Sequence, residues 1–600
     1  MKEETDLTGK IKGFYPHLAS TAPVLLLYLI FGVSGRLYDD YDNYNVAIVI
    51  NGLLSDNNYC QYQHPLLCLI LKGVKAVLPA ADCFTLLVHI LLIVAMSRII
   101  YVLFGRYAHP LARLLISAFM LYLSWGLVIW NANYTLQAAF LCTAGIIELF
   151  ACSLSDDGMK GAFAGAFFFA AGLMIRHQAA LMFIPYILLA AGAYILAGSG
   201  KLGERQGYGK RASAIVKRLL PWLISAIILL TGFKLFYSFE PYKSGLEFDR
   251  ARVKVWDFPV SEWNELKDKP EDLDKTIYRG AIHGLYADTN LVNLDNLKKI
   301  ANAGSKWRYP VSPAGIVKGI REIAGMLIID KTGLAIPVIF LILSALGIFM
   351  ITDSRYYRLE AVLAVIGTFT IIIFFIMKGR APSRVWLPPV FASLGIMAVV
   401  PIRLEEGEKI FTKGDAESRK RVLLCLGTIL AVLFISVSIY LLCTGSVLHR
   451  LTTPLNACGP VKEDKFSGAY GGNKRYLLCG WDISTEDEKT VSESYLHGWY
   501  EAEKSFIDQG KLPPAEFFRY YISSGEFFYG QEYHNDLLHE IGIDNPITAL
   551  FERDDLYLLD MSKDTLFREF FYVYLYDHYG EMTVKEVGNI NGSPVFEFRR

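Results

Sequence analysis

The sequence predicts a mainly α-helical chain that crosses a membrane many times and carries a mixed α/β domain at its C-terminal end. Three observations carry that prediction. Of the 600 residues, 53% are hydrophobic. Apolar stretches of about twenty residues, long enough as helix to cross about 30 Å of hydrocarbon, recur along the chain. From about residue 446 that rhythm stops, and charged, polar and aromatic residues mix as they do in a soluble domain. Basic and acidic residues number 59 each, so the net charge gives no ground for a nucleic-acid partner.

Taken in order, the apolar stretches give about eleven spans. They lie near 17–34, 84–104, 110–129, 135–154, 161–176, 178–197, 219–237, 333–352, 359–377, 385–402 and 422–444. Residues 161–197 are divided in two because a single helix through MIRHQAALMF would bury Arg176 and His177 at the bilayer centre. Loop charge sets the orientation. Lys2, Lys10 and Lys12, the cations between Lys201 and Arg218, and those between Arg403 and Arg421 all fall on one side, which should be the cytoplasm. The segment 35–83, a second at 238–313 and everything after 446 then lie outside. The first span lacks a clear cleavage site and reads as an anchor.

The outside segments each have a character. QHPLLCLILKGVKAVLP, 63–79, is too short and too charged to span and reads as a helix lying on the outer leaflet, with Pro65 in its first turn. Residues 238–313 are rich in Trp, Tyr and Phe and should fold, with a helix near 289–303. AGIVKGIREIAGM after it has an apolar face opposite Lys318 and Arg321, as an interfacial helix does. In 446–600, KRYLLCGWDI, DDLYLLDM and SPVFEFRR read as strands. ESYLHGWYEAEKSFIDQG and KDTLFREFFYVYLYDHYG read as helices, and GAYGGNK as a loop. The chain thus divides into a membrane domain, 1–445, and an α/β domain, 446–600. Nine cysteines show no CxxC pair, and spacing leaves open a disulfide between Cys458 and Cys479.

Two polar clusters abut the membrane. RLYDDYDNYN places Asp39, Asp40 and Asp42 at the mouth of the first span. Such a cluster is ordinarily a solvated loop, but here His64-Pro65 and the interfacial helix follow at once. KGRAPSR sets Lys378, Arg380 and Arg384 in a short outer connection, against the usual charge bias. These cations either snorkel to headgroups or clamp a phosphate, whose oxygens guanidinium forks match. Arg176 and His177 lie at the same level.

The order of span, acidic loop, His-Pro interfacial helix and span resembles the GT-C superfamily of membrane glycosyltransferases. The residues concerned are DDYDNY and HPLL; the second acid is Asp where the family often has Glu, and the second proline is missing. GRAPSRV and FDRARVKVWDFP also look like segments of bacterial multispanning proteins of this architecture. The resemblance covers roughly 17–445. It implies transfer of a sugar from a polyprenyl-phosphate donor to an acceptor of the cell envelope (glycan, lipid or protein). Asp40 first, Asp39 second and Asp42 third are the candidate bases. His64, Arg176, His177, Lys378, Arg380 and Arg384 are the candidate donor contacts. No cofactor is required, although the acidic trio offers oxygen ligands to a divalent cation; DYD has the Asp-x-Asp spacing of nucleotide-sugar enzymes, but the cluster faces outward, where nucleotide sugars are normally absent and a lipid-linked donor suits better. The rival readings are a lipid or solute transporter and a non-catalytic envelope-assembly protein. Transporters usually show paired repeats or charges at mid-span, which are not evident here. Glu148, Lys234, Asn131, Asn133 and Gln137 read as structural residues.

Overall fold

A computed structural model of the chain describes residues 41–104, 133–151, 158–197, 207–266, 273–329, 335–405 apart from 381, 472–479, 511–525, 528–562 and 566–600, with shorter stretches within 20–25, 457–469 and 502–509. Most of the span expected at 17–34, the spans expected at 110–129 and 422–444, the residues Asp39 and Asp40, and most of the helix expected in ESYLHGWYEAEKSFIDQG lie outside the described residues.

The membrane part begins with α1 (Tyr41–Ile50), α2 (Pro65–Val77), α3 (Cys83–Phe104), α4 (Tyr134–Ala151), α5 (Gly158–Leu181), α6 (Ile184–Ala197) and α7 (Tyr208–Phe236). Among the described residues five helices are long and apolar enough to cross a membrane: Cys83–Leu103, Tyr134–Ala151, Met159–Leu181, Tyr208–Phe236 and Arg355–Lys378. Helix α4 is the central one. Some 94% of its most apolar window is buried inside the protein, against 17% for α7, which leaves α7 on the periphery. Close approach of α4 and α5 depends on Gly145 and Gly165: a Cβ on Gly145 would stand 2.9 Å from the Gly165 carbonyl oxygen. Glu148, fully buried, takes both nitrogens of an Arg98 fork at 2.6 and 3.1 Å, tying α3 to α4.

Two sequence expectations change in detail. The acidic segment is not wholly loop, because Asp42 stands in the first turn of α1. The break expected between 176 and 178 falls on Arg176 itself, whose φ of −156° and ψ of 93° interrupt α5 before the helix resumes to Leu181. A helix stands where 63–79 predicted one, at Pro65–Val77. In α2, Leu67, Cys68 and Leu71 are buried while Leu66, Leu69, Ile70 and Val77 are exposed, an apolar outer face suited to lipid.

Residues 238–313 fold as α8 (Tyr242–Trp256), α9 (Lys275–Ile282) and α10 (Leu294–Gly304). There follow α11 (Pro313–Ile329), with Ile316, Val317 and Ile320 exposed, then α12 (Ala335–Ile351), α13 (Arg355–Lys378) and α14 (Ser383–Glu405). The C-terminal part holds β1 (Arg475–Cys479), α15 (Ala515–Tyr520), β2 (Tyr521–Ser523), α16 (Glu532–Glu540), α17 (Pro546–Glu552), β3 (Leu556–Asp560), α18 (Leu566–Tyr579), β4 (Thr583–Ile590) and β5 (Ser593–Arg599). The sheet order is β2-β1-β3-β5-β4, with β1 parallel to β2 and β3 and the other pairs antiparallel.

Alternation along the strands puts the two sheet faces in different cores. Tyr476, Leu478, Leu559 and Val595 join the cluster that runs through the bundle. Leu477, Ile522, Leu558 and Phe596 join a second cluster that also contains Phe248, Ile277, Tyr278, Leu297 and Ile300 from the 238–313 segment. Burial on both faces explains the unbroken apolar runs of RYLLC and LYLLD. Asp288 seals the contact. It is fully buried and accepts hydrogen bonds from Tyr574, Tyr579 and Asn545 at 2.7 to 3.0 Å. The 238–313 segment and the C-terminal part therefore share one core, which the division at 446 had separated. The disulfide that spacing left open between Cys458 and Cys479 is not formed, and Cys479 is buried at the end of β1.

Candidate functional site

The KGRAPSR connection is a tight hairpin. Helix α13 ends at Lys378, Gly379 takes a left-handed φ of 92° as its cap, and α14 starts at Ser383. No larger residue fits at 379, because a Cβ there would strike Pro259. Arg384 lies in the first turn of α14 and its Nη1 is 2.9 Å from Asp42 Oδ2. Arg380 Nη2 is 2.7 Å from Asp257 Oδ2, at the end of the FDRARVKVWDFP stretch. Lys378 stands apart, over the Phe258 ring at 5.1 Å and within 5.9 Å of Trp307 and Phe374. Burial pushes the Arg380 guanidinium down from its ordinary pKa; Asp257 opposes that, and the charges of Arg384, Arg176 and Asp42 also reach it. Two segments separated by more than 300 residues thus meet at one end of the bundle.

Arg176 completes the cluster from α5. Its guanidinium lies 4.7 Å from the Tyr62 ring and 5.3 Å from the Tyr134 ring, which stack on each other at 6.2 Å. Its Nη1 is buried with no hydrogen-bond partner among the described residues. A buried donor left unpaired costs on the order of 1–3 kcal/mol, more when charged, so this nitrogen is a natural point for an anionic ligand. Tyr134 is fixed in turn: its amide donates to Asn43 Oδ1 at 2.5 Å, which locks α4 onto α1 beside Asp42. Asn133 caps α4 through the Thr135 amide, so its position is turn chemistry as expected.

Behind Tyr62 lies a group that residue-type patterns did not single out individually. The Tyr62 hydroxyl donates to Asp249 Oδ1 at 2.8 Å, and Arg252 Nη2 donates to both Tyr62 at 2.9 Å and Asp249 at 2.7 Å. Burial and Asp249 together push the Tyr62 hydroxyl well above its ordinary pKa. The i, i+3 spacing of Asp249 and Arg252 in FDRARV was the available signal.

His64 has a different place. Its Nδ1 accepts from the Leu66 amide at 3.1 Å, so Nε2 carries the hydrogen that meets the Leu229 carbonyl at 2.9 Å. Both ring nitrogens are engaged by backbone, and His64 caps α2 and ties it to α7. Burial lowers its pKa, and the Leu229 bond opposes that. His177 packs against Phe233 of α7, with ring centres 4.4 Å apart. Among the described residues no group of three His, Cys, Asp or Glu side chains is set to hold a metal ion. The arrangement therefore offers two carboxylates, Asp42 and Asp257, each paired with an arginine, and a third arginine with a nitrogen unsatisfied among the described residues. No family model, curated protein or solved structure matches this chain.

Proposed function

We propose that the chain is a membrane glycosyltransferase that takes a sugar from a polyprenyl-phosphate donor and passes it to an acceptor outside the cytoplasmic membrane. The observation that carries this reading is the meeting of Asp42, Arg384, Arg380 and Arg176 at one end of an apolar bundle, with Arg176 Nη1 unpartnered among the described residues. The exposed apolar faces of the helices suit a polyprenyl tail, and convergent guanidinium groups suit its phosphate. In the reaction an aspartate takes the proton of the acceptor hydroxyl as its oxygen attacks the anomeric carbon. The bond from that carbon to the phosphate oxygen breaks, and its electron pair stays on the phosphate, where the arginines stabilise it.

Asp40 first and Asp39 second are the bases in this scheme. Asp42, with one oxygen on Arg384, positions the cation instead. General-base assistance contributes about a hundredfold to ten-thousandfold in rate. The test is mass spectrometry of envelope glycans, lipids and proteins from a deletion strain complemented with the wild-type chain, D40N or D39N. The wild type should restore a species one sugar heavier, and one of the variants should fail to do so while still present in the membrane. Restoration by D39N, D40N and the double variant alike would reject the assigned base.

A further inference from the structure

A second cluster lies away from the arginines, at the corner between α2 and α3. Lys75 Nζ donates to Cys458 Sγ and to the Ala81 carbonyl oxygen, each at 3.0 Å. That same carbonyl oxygen is 3.7 Å from Cys458 Sγ and 3.7 Å from Cys83 Sγ. The Cys458 amide donates to the Ala80 carbonyl at 3.0 Å, so the backbone holds the thiol in place. Two thiols thus touch one oxygen, with an ammonium group on one of them. We infer that Cys83 and Cys458 form a disulfide, made by thiol exchange in the oxidising compartment outside the membrane, that fastens the C-terminal part to the membrane bundle.

The two cysteines differ in access, which fixes the order of events. Cys458 is partly exposed, whereas Cys83 is buried. Cys458 attacks the disulfide of an extracytoplasmic thiol oxidoreductase, forming a mixed disulfide and releasing one of its sulfurs as thiolate. Cys83 then attacks Cys458 Sγ and expels the other. The cysteine pair gives up two electrons and two protons, and the oxidoreductase disulfide becomes a dithiol. Lys75 favours the attacking thiolate against the burial that raises the Cys458 pKa. Both sulfurs are unbonded in the structure, and joining them requires each side chain to rotate toward the other.

The tie lies where it matters for the candidate site. Ala457 accepts from the Leu512 amide at 3.0 Å, and the neighbouring Lys511 carbonyl accepts from Tyr44 of α1 at 3.4 Å. The Cys83 amide donates to Asn51 at 3.0 Å, just past the end of α1. Helix α1, which presents Asp42, is therefore held between the two cysteines' neighbourhoods. The inference requires only that this corner face an oxidising compartment, and it stands or falls separately from the transfer reaction.

The test uses the full chain in membranes from cells with intact extracytoplasmic thiol oxidation, trapped with N-ethylmaleimide and digested without reductant. Mass spectrometry should find most of the chain as a Cys83–Cys458 linked peptide that disappears on reduction and in C83S and C458S. Recovery of both cysteines as maleimide adducts in the wild type, or of Cys458 joined to a different cysteine, would overturn it.

Discussion

Single residues divide into those that bind and those that build. His64 belongs with the builders, since both its nitrogens meet backbone. His64→Ala should cost about 1–2 kcal/mol through loss of the cap and the bond to α7. His64→Asn, which keeps an acceptor for Leu66, should cost less, and neither should change binding of polyprenyl phosphate; thermal unfolding and lipid binding of the two variants check this. Buried imidazoles also set a pH response. Burial holds His283 at about 4, with Arg279 adding to it, and His534 at about 3, both below the ordinary 6.5. The unfolded chain then binds more protons, so stability is full above about pH 6.5 and falls as the pH drops through that value towards 4. The loss at pH 4 should be about 3 kcal/mol or more, read from unfolding midpoints at pH 7.5 and 4; an unchanged midpoint contradicts it.

At the scale of elements, apolar length made α3, α4, α7 and α13 legible in the sequence, because burial and lipid both demand the same unbroken run. Helix α2 was legible from its His-Pro start and its length. Strands β1, β3 and β5 were readable from their apolar runs, but β2 was not: YIS is three residues long and is set by its parallel partner β1, not by pattern. The same limit applies to Arg176. Its sequence context showed that a break was needed, and only the packing of Tyr62 and Tyr134 shows what surrounds it. The site was half legible. Acids and arginines stood out as charges beside apolar runs, whereas Asp257 and Asp249 were two among many charges in a mixed segment.

For the whole molecule, the main correction concerns where one domain stops. Residues 238–313 and the C-terminal part fold on one core, joined by Asp288 to Tyr574, Tyr579 and Asn545. Long-range hydrogen bonds of this kind leave no local trace in sequence. Asp288→Ala strands two buried donors, on Tyr574 and Asn545, and the partly buried Tyr579 hydroxyl, and should destabilise the joined unit by about 3 kcal/mol or more. Limited proteolysis of the full chain would then cut both 238–313 and the C-terminal part together, whereas cleavage of only one would contradict a shared core. That unit meets the bundle through Asp257 on Arg380 and Asp249 on Tyr62, which is how residues far apart in sequence come to surround Arg176. The most direct test is binding of polyprenyl monophosphate to the full chain in lipid nanodiscs, comparing wild type with R176M. Loss of one charge-assisted contact, worth about 1.5–3 kcal/mol, predicts at least about tenfold weaker binding. Equal affinity in the two proteins would contradict the anion-binding site at Arg176.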